Sequence, residues 1–315
     1  MQNFIPYGKQ TIGNDDITAV AKSLKKKLIT TGPGVQLFEE RFKKKIGSKF
    51  AASSNSGTSA IFLALKAIKV KKNEIIIIPS INFIAAANIA KILGAKVVFA
   101  DVNNLTGQMT PENLIECIKK NKIKKIKAFF TMHNGGYSNF SKEFFKIKKK
   151  YKCFIIEDAC HALGAKNSHK KNDYVGNCKY ADLSTFSFHP LKSITTAEGG
   201  ITTTRNSKFY YEMLKYRNHG FQFKKDFKKT FYNWQHKLLS NSFNLRLNDV
   251  QSYLGISQLK KLDKFVKKRN NISKLYLKKL KRLEDFIDLP VHNKYYSAWH
   301  LFIIIFKKNK LKINR

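Results

Sequence analysis

Arginine is scarce in this sequence, and so are acidic residues. Of 60 Lys+Arg only seven are arginine (41, 205, 217, 246, 269, 282 and 315), against 21 Asp+Glu, so 53 lysines dominate a formal net charge of +39. Such an excess first suggests nucleic acid or an anionic surface as partner. Specific readers of nucleic acid, however, rely on the planar guanidinium fork for two-point contacts to bases and phosphates. The lysines instead fall on the outer faces of predicted helices, as in SKEFFKIKKKYK at 141–152, with apolar residues on the other side. They read as solvated faces, and no specific nucleic-acid partner is expected.

Long apolar runs are missing too. The longest, 75–78 and 301–306, fall far short of a membrane span. No basic start followed by an apolar run marks an N-terminal leader. The four cysteines (117, 153, 160, 178) match no zinc spacing. No metal is therefore expected, and the thiols read as reduced and mostly buried in a cytoplasmic protein without membrane association.

What remains is ample material for a fold. A 315-residue chain with 43% hydrophobic residues can bury a sizeable core, as two domains or as one α/β domain with an appendage. From residue 50 to 205, short β-branched runs (74–79, 96–102, 126–133, 153–159, 183–188, 200–204) alternate with amphipathic stretches starting near Thr58, Phe83, Pro111 and Ser141. This alternation predicts an α/β fold with a mainly parallel sheet and helices on both faces. Residues 206–285 are mostly helical and charged, and 248–264 carries apolar residues at helical spacing. The expected division is a large domain over 1–245 and the start of a small C-terminal α+β domain over 246–315. That small domain reads as incomplete, because the strand-like WHLFIIIF at 299–306 is followed by only nine residues.

Four motifs fall in loops after predicted strands, where parallel sheets place their ligands. Asn55-Ser56-Gly57-Thr58-Ser59-Ala60 opens an apolar helix, so its N–H groups, hydroxyls and helix dipole can cup a phosphate, although in isolation ordinary capping is the better explanation. EDACHA at 157–162 puts a carboxylate at a buried strand end, where it needs a cationic partner such as a protonated ring nitrogen. Lys192 stands in a loop of small and hydroxylated residues, apart from the other lysines; desolvated there, it can act as an amine nucleophile that forms a Schiff base. Ser80-Ile81-Asn82-Phe83 brings an aromatic ring to the same rim. Together these are the requirements of pyridoxal 5'-phosphate: a phosphate cup, an amine for the aldehyde, a carboxylate for the ring nitrogen and a stacking plate.

At these residues the chain resembles the DegT/DnrJ/EryC1/StrS sugar aminotransferases. The likeness is carried by TTGP at 30–33 with Phe38-Glu39, NSGTSA at 55–60, EDACHALGA at 157–165 and FSFHPLKSITTAEGG at 186–200. YRNHG at 216–220 and NLRLND at 244–249 complete it. The resemblance implies a fold-type I pyridoxal phosphate enzyme that aminates nucleotide-linked keto-sugars. It implies that Lys192 is the cofactor lysine and general base, that Asp158 pairs with the pyridine nitrogen and that His161 lies near the ring hydroxyl. Gly57, Thr58, Ser59 and Ser187 would hold the phosphate, with Asn244 reaching in from a second subunit, and Phe83 would stack. Tyr7, Lys27, Leu28, Ile29 and Thr30, with Gly57, Ser187 and Asn244, match stretches that face the nucleotide-sugar.

Relatives with His in place of Lys192 are 3-dehydratases, so the lysine favours transamination. The motif strings look most like the pseudaminic acid branch. That branch implies L-glutamate as donor, a UDP-linked 4-keto-6-deoxy-N-acetyl sugar as acceptor, and a homodimer with shared active sites. Perosamine-type C4 enzymes, C3 enzymes and a non-catalytic binder remain alternatives. The loop Met132-His133-Asn134-Gly135-Gly136 departs from the family pattern, with no role evident from the sequence.

Overall fold

A computed structural model of the chain describes residues 6–170, 172–221, 237–290 and 296–307. Its main body is a seven-stranded sheet of order β1-β7-β6-β5-β4-β2-β3. The strands are β1 (Phe50–Ser54), β2 (Ile75–Pro79), β3 (Lys96–Ala100), β4 (Ala128–Met132), β5 (Phe154–Asp158), β6 (Leu183–Ser187) and β7 (Gly200–Thr204). Pairing is parallel from β3 through β2, β4 and β5 to β6, and only β7 runs against both of its neighbours. The sheet is therefore mixed but mainly parallel, as the alternation of strands and helices predicts.

The side-chain alternation of the strands divides the core between the two faces of the sheet. Ile76, Ile78, Ala128, Phe130 and Ile156 pack with α3 (Gly57–Ala67), α4 (Ala85–Ile92) and α7 (Ser207–Arg217). Their neighbours Ile77, Phe129 and Ile155 point the other way, onto α5 (Pro111–Lys120) and α6 (Ser141–Tyr151). Beside that layer, Phe38, Phe42 and Ile46 of α2 (Pro33–Ile46) pack on Phe186, Phe188 and Ile201. A further helix, α1 (Asn14–Leu24), precedes α2. The lysine-rich α6 buries only Phe144 and Ile147, so its basic residues form the outer face.

Start signals in the sequence set the helix ends. Ser56 caps α3 by accepting from the Ser59 amide at 3.1 Å, and Thr110 caps α5 ahead of Pro111. Asn248 caps the 32-residue α8 (Asp249–Leu280). The Asp249 carboxylate accepts from the amides of Gly32 and Gly34 at 2.7 Å each, a buried negative charge at the positive end of α2. The first half of α8 shares the α2 core through Ile256, Leu259, Leu262 and Val266.

Two expectations change. β1, with sequence FAASS, has no β-branched residue to announce it, yet pairs along its whole length with β7. The strand read over 299–306 shrinks to β9 (Ile305–Phe306), because its partner β8 (Ile287–Asp288) is equally short. Ala298, His300 and Leu301 spend their amides elsewhere, on the carbonyls of Gly136 and Gly135, and Trp299 donates to the Ser297 hydroxyl. The helical reading of 206–285 holds for α7 and α8; residues 222–236 lie outside the described residues, as does the tail from 308.

Candidate active site

The loop between β6 and β7 holds Lys192 in a pinned position. The Phe188 amide donates to Gly199 at 2.8 Å, closing the loop, and the Phe188 carbonyl accepts from the Thr196 amide and the Thr195 hydroxyl at 3.0 and 2.9 Å. The Lys192 amide donates to His189 at 2.8 Å. Ser193, Ile194, Thr195 and Thr196 are buried while Lys192 stays half-buried, so the loop is anchored by the residues that follow the lysine.

Two adjacent carboxylates end β5, and their surroundings separate them. Glu157 is fully engaged: His133 Nε2 lies 2.8 Å away, the Ser184 hydroxyl donates at 2.5 Å and the Gly176 amide at 2.9 Å. These partners hold its carboxyl below the ordinary range against the pull of burial. Asp158 is as deeply buried, yet its one backbone donor is the Cys160 amide at 3.1 Å, and no cation of the described residues comes within ion-pair distance. Burial pushes the Asp158 carboxyl up; Cys160 and the more distant charges of Lys192 and His133 only partly oppose that. Of the two, Asp158 is the carboxylate that lacks a cationic partner.

The cup at the start of α3 lies against the same rim. Ser56, Ser59 and Asn55 form a closed set of side-chain bonds, with Ser59 Oγ donating to Asn55 at 2.6 Å. Thr58 is exposed and Gly57 faces Ser187: a methyl group on Gly57 would come within 2.8 Å of Ser187 Cβ. Gly200 allows the cup to approach β7, since its own Cβ would lie 2.3 Å from the Ser56 carbonyl. Gly57, Thr58, Ser59 and Ser187 are thus brought together.

His161 lies beyond Asp158 with its Nδ1 buried and without a hydrogen-bond partner. Burial first, and then the charge of Lys192, lowers it to about 3, so the ring is neutral. The sequence offers no sign of its neighbour, His300, whose ring centroid lies 4.2 Å away at 39°.

The other expected residues are spread around this centre. Phe83 is 71% exposed on the loop after β2. Tyr7 is exposed, and its neighbour Gly8 abuts Leu191 of the lysine loop. Lys27, Leu28, Ile29 and Thr30 form the turn before α2, tied to α8 by the bond from the Asp249 amide to the Ile29 carbonyl at 3.0 Å. Asn244 is exposed; its Oδ1 accepts from the Arg246 amide at 3.3 Å, and the next carbonyl, of Leu245, accepts from the Asn55 amide at 2.9 Å.

The profile of the DegT/DnrJ/EryC1/StrS aminotransferase family matches residues 10–315. The chain belongs to this family. The UDP-4-amino-4,6-dideoxy-N-acetyl-beta-L-altrosamine transaminase of Campylobacter jejuni is 38% identical over 301 residues, 96% of this chain and 76% of its own length. The solved structure of Helicobacter pylori PseC, an aminotransferase involved in the biosynthesis of pseudoaminic acid, has a TM-score of 0.85 at 32% identity. It covers 96% of this chain and 78% of its own. The PMP form of Spr1654 from Streptococcus pneumoniae, a putative sugar aminotransferase, superposes with a TM-score of 0.87 at 25% identity, over 96% and 79% of the two chains. As a DegT-family member, the protein is a sugar aminotransferase that depends on pyridoxal phosphate.

Proposed function

We propose that this DegT-family enzyme moves the amino group of L-glutamate to C4 of a UDP-linked 4-keto-6-deoxy-N-acetyl sugar, releasing 2-oxoglutarate, in pseudaminic acid biosynthesis. Similarity to the Campylobacter jejuni transaminase at 38% identity supports the sugar class. The observation that carries the residue assignment is the meeting of one anchored lysine with one buried, cation-free carboxylate on the same rim.

Pyridoxal phosphate fits the residues present. Asp158 lacks a positive partner, His161 has a buried nitrogen without one, and Gly57 meets Ser187 too closely for any side chain between them. Gly57, Thr58, Ser59 and Ser187 would hold the phosphate, Phe83 would cover one face of the ring, and His161 would meet the ring hydroxyl. When bound, the cofactor supplies the electron sink for the negative charge left as a proton leaves carbon. Asp158 would hold the proton on the cofactor's ring nitrogen, which would give the buried carboxylate the cationic partner it lacks. Lys192 would hold the cofactor's aldehyde through its amine, and would serve as the base and acid that takes the proton from Cα of the donor and delivers one to C4 of the sugar.

The active unit in this reading is a homodimer, with Asn244 completing the phosphate site of the partner and Tyr7 and 27–30 facing the nucleotide-sugar. Exposed Ile81, Phe83, Ile84, Leu238, Leu239 and Phe243 on or beside the site loops support an interface there. The test is glutamate-dependent 2-oxoglutarate release with UDP- and GDP-linked keto-sugars. Release is expected with the UDP-linked 4-keto-N-acetyl sugar; none from a dimeric, cofactor-loaded sample, or preference for another sugar, contradicts the reading.

A further inference from the structure

His300 belongs to a segment, 297–301, that is docked on the sheet end by its backbone. The Ala298 amide and the Ser297 hydroxyl donate to the Gly136 carbonyl at 2.8 and 3.0 Å, and the His300 amide donates to Gly135 at 2.9 Å. From the other side, Arg269 of α8 donates to the carbonyls of Trp299 and His300 at 3.1 and 3.3 Å, and Asn270 to that of Ser297 at 2.8 Å. Ser297, Ala298 and Trp299 are buried. The unusual glycine pair after β4 makes this docking possible. Gly136 has φ +110, and a Cβ there would stand 2.7 Å from the His161 carbonyl and 2.9 Å from the His300 amide.

The consequence is a stack of two imidazoles at the edge of the site. Their centroids are 4.2 Å apart, and the Nδ1 atoms of both are buried without partners. The titratable and charged groups that act on the pair are Lys192 of the β6–β7 loop, on both rings, and, on His300, His161 itself and Arg269 of α8. Burial first, then Lys192, keeps His161 uncharged; burial first, then His161, Lys192 and Arg269, lowers His300 to about 2.

We propose that His300 is a positioning residue of the active site: hung from Gly135 and Gly136 and held by Arg269, it covers His161 and fixes the neutral imidazole that faces the cofactor. The proposal rests on the reading that His161 meets the cofactor ring. His300 touches His161 and acts through it. It also gives the glycine loop a purpose, since the loop joins the C-terminal segment to the end of the strand next to β5.

The test uses the full chain with His300→Ala, His300→Phe and His161→Ala. Two readouts are followed: the pyridoxal phosphate dissociation constant, and the His161 ring signals in NMR titration of the cofactor-free protein. In the native protein, His161 is expected to stay unprotonated down to about pH 5, because burial and Lys192 lower it to about 3. His300→Ala admits water, so the His161 midpoint is expected to rise by at least about one unit, a tenfold change in proton affinity, with a weaker hold on the cofactor. His300→Phe keeps the ring-sized cover and should restore both values to within about twofold. A folded His300→Ala protein with unchanged titration and cofactor affinity overturns the proposal, as does a His300→Phe protein in which His161 titrates as freely as in a protein lacking the cover. The underlying reading fails separately, if His161→Ala leaves cofactor affinity untouched.

Discussion

Asp158 and the two histidines set the electrostatics of the site one residue at a time. Asp158→Asn keeps the shape and suits a pocket that already favours an uncharged group. The fold should therefore melt at the same temperature or higher, while kcat drops by about 100-fold or more through loss of the pyridinium partner; a melt and a rate on the same sample check both. The histidines make stability depend on pH. Their folded values, about 3 for His161 and about 2 for His300, lie below the ordinary 6.5. Below pH 6.5 the unfolded chain takes up protons that the folded chain refuses. Stability is therefore lost as pH falls, by about 1.4 kcal/mol per pH unit for each ring. Asp158, raised in the fold, works in the opposite sense but cancels in a difference. Denaturant unfolding of cofactor-free protein between about pH 6 and pH 5 should show a slope one proton smaller in His300→Phe than in the native chain. Equal slopes would mean that His300 is not held neutral in the fold.

At the level of elements, the parallel strands and the loops that follow them were legible in the sequence, because isoleucine-rich runs such as EIIII and FII can only be buried. β1 was not, since alanine and serine carry no strand signature and its place depends on pairing with β7. WHLFIIIF looked like a strand because its composition is right; its neighbours decided otherwise, and its first residues bond to a glycine loop far away in sequence. For the same reason His300 was invisible: no local pattern links it to His161. The lysine loop, the carboxylate and the cup were readable because each sits at a strand end and differs from its surroundings. Choosing between Glu157 and Asp158 by the residues alone needed the partners His133, Ser184 and Gly176, which only the fold supplies. The approach of α3 to the β6 end is also a test. Gly57→Ala puts a methyl 2.8 Å from Ser187 Cβ and displaces the phosphate cup. Pyridoxal phosphate should dissociate at least about tenfold more readily, ~1.4 kcal/mol, with the far-ultraviolet circular dichroism unchanged; unaltered affinity would remove the cup from the site.

Over the whole molecule, the +39 charge takes on a limited role. Lysines form the outer face of α6, and no lysine is buried among the described residues. A field of this sign still draws a doubly charged nucleotide-sugar toward the site, and salt screens it over about 8–10 Å. Raising ionic strength should therefore lower kcat/KM for the sugar while leaving kcat nearly constant; a parallel fall in both would place the effect on the chemistry instead. Where arginine is so rare, its use is telling. Arg217 is committed to Glu39, Arg246 to Asn218 and Arg269 to the 297–301 segment, so three of seven arginines fasten the pieces that frame the site.

The central claim is that one lysine of 53 carries the cofactor. Borohydride reduction of the cofactor-loaded protein, followed by peptide mapping, tests it most directly. The account predicts the pyridoxyl group on Lys192 alone, and no reducible bond in Lys192→Ala. A label on any other lysine, or a reducible bond that survives in Lys192→Ala, would contradict it.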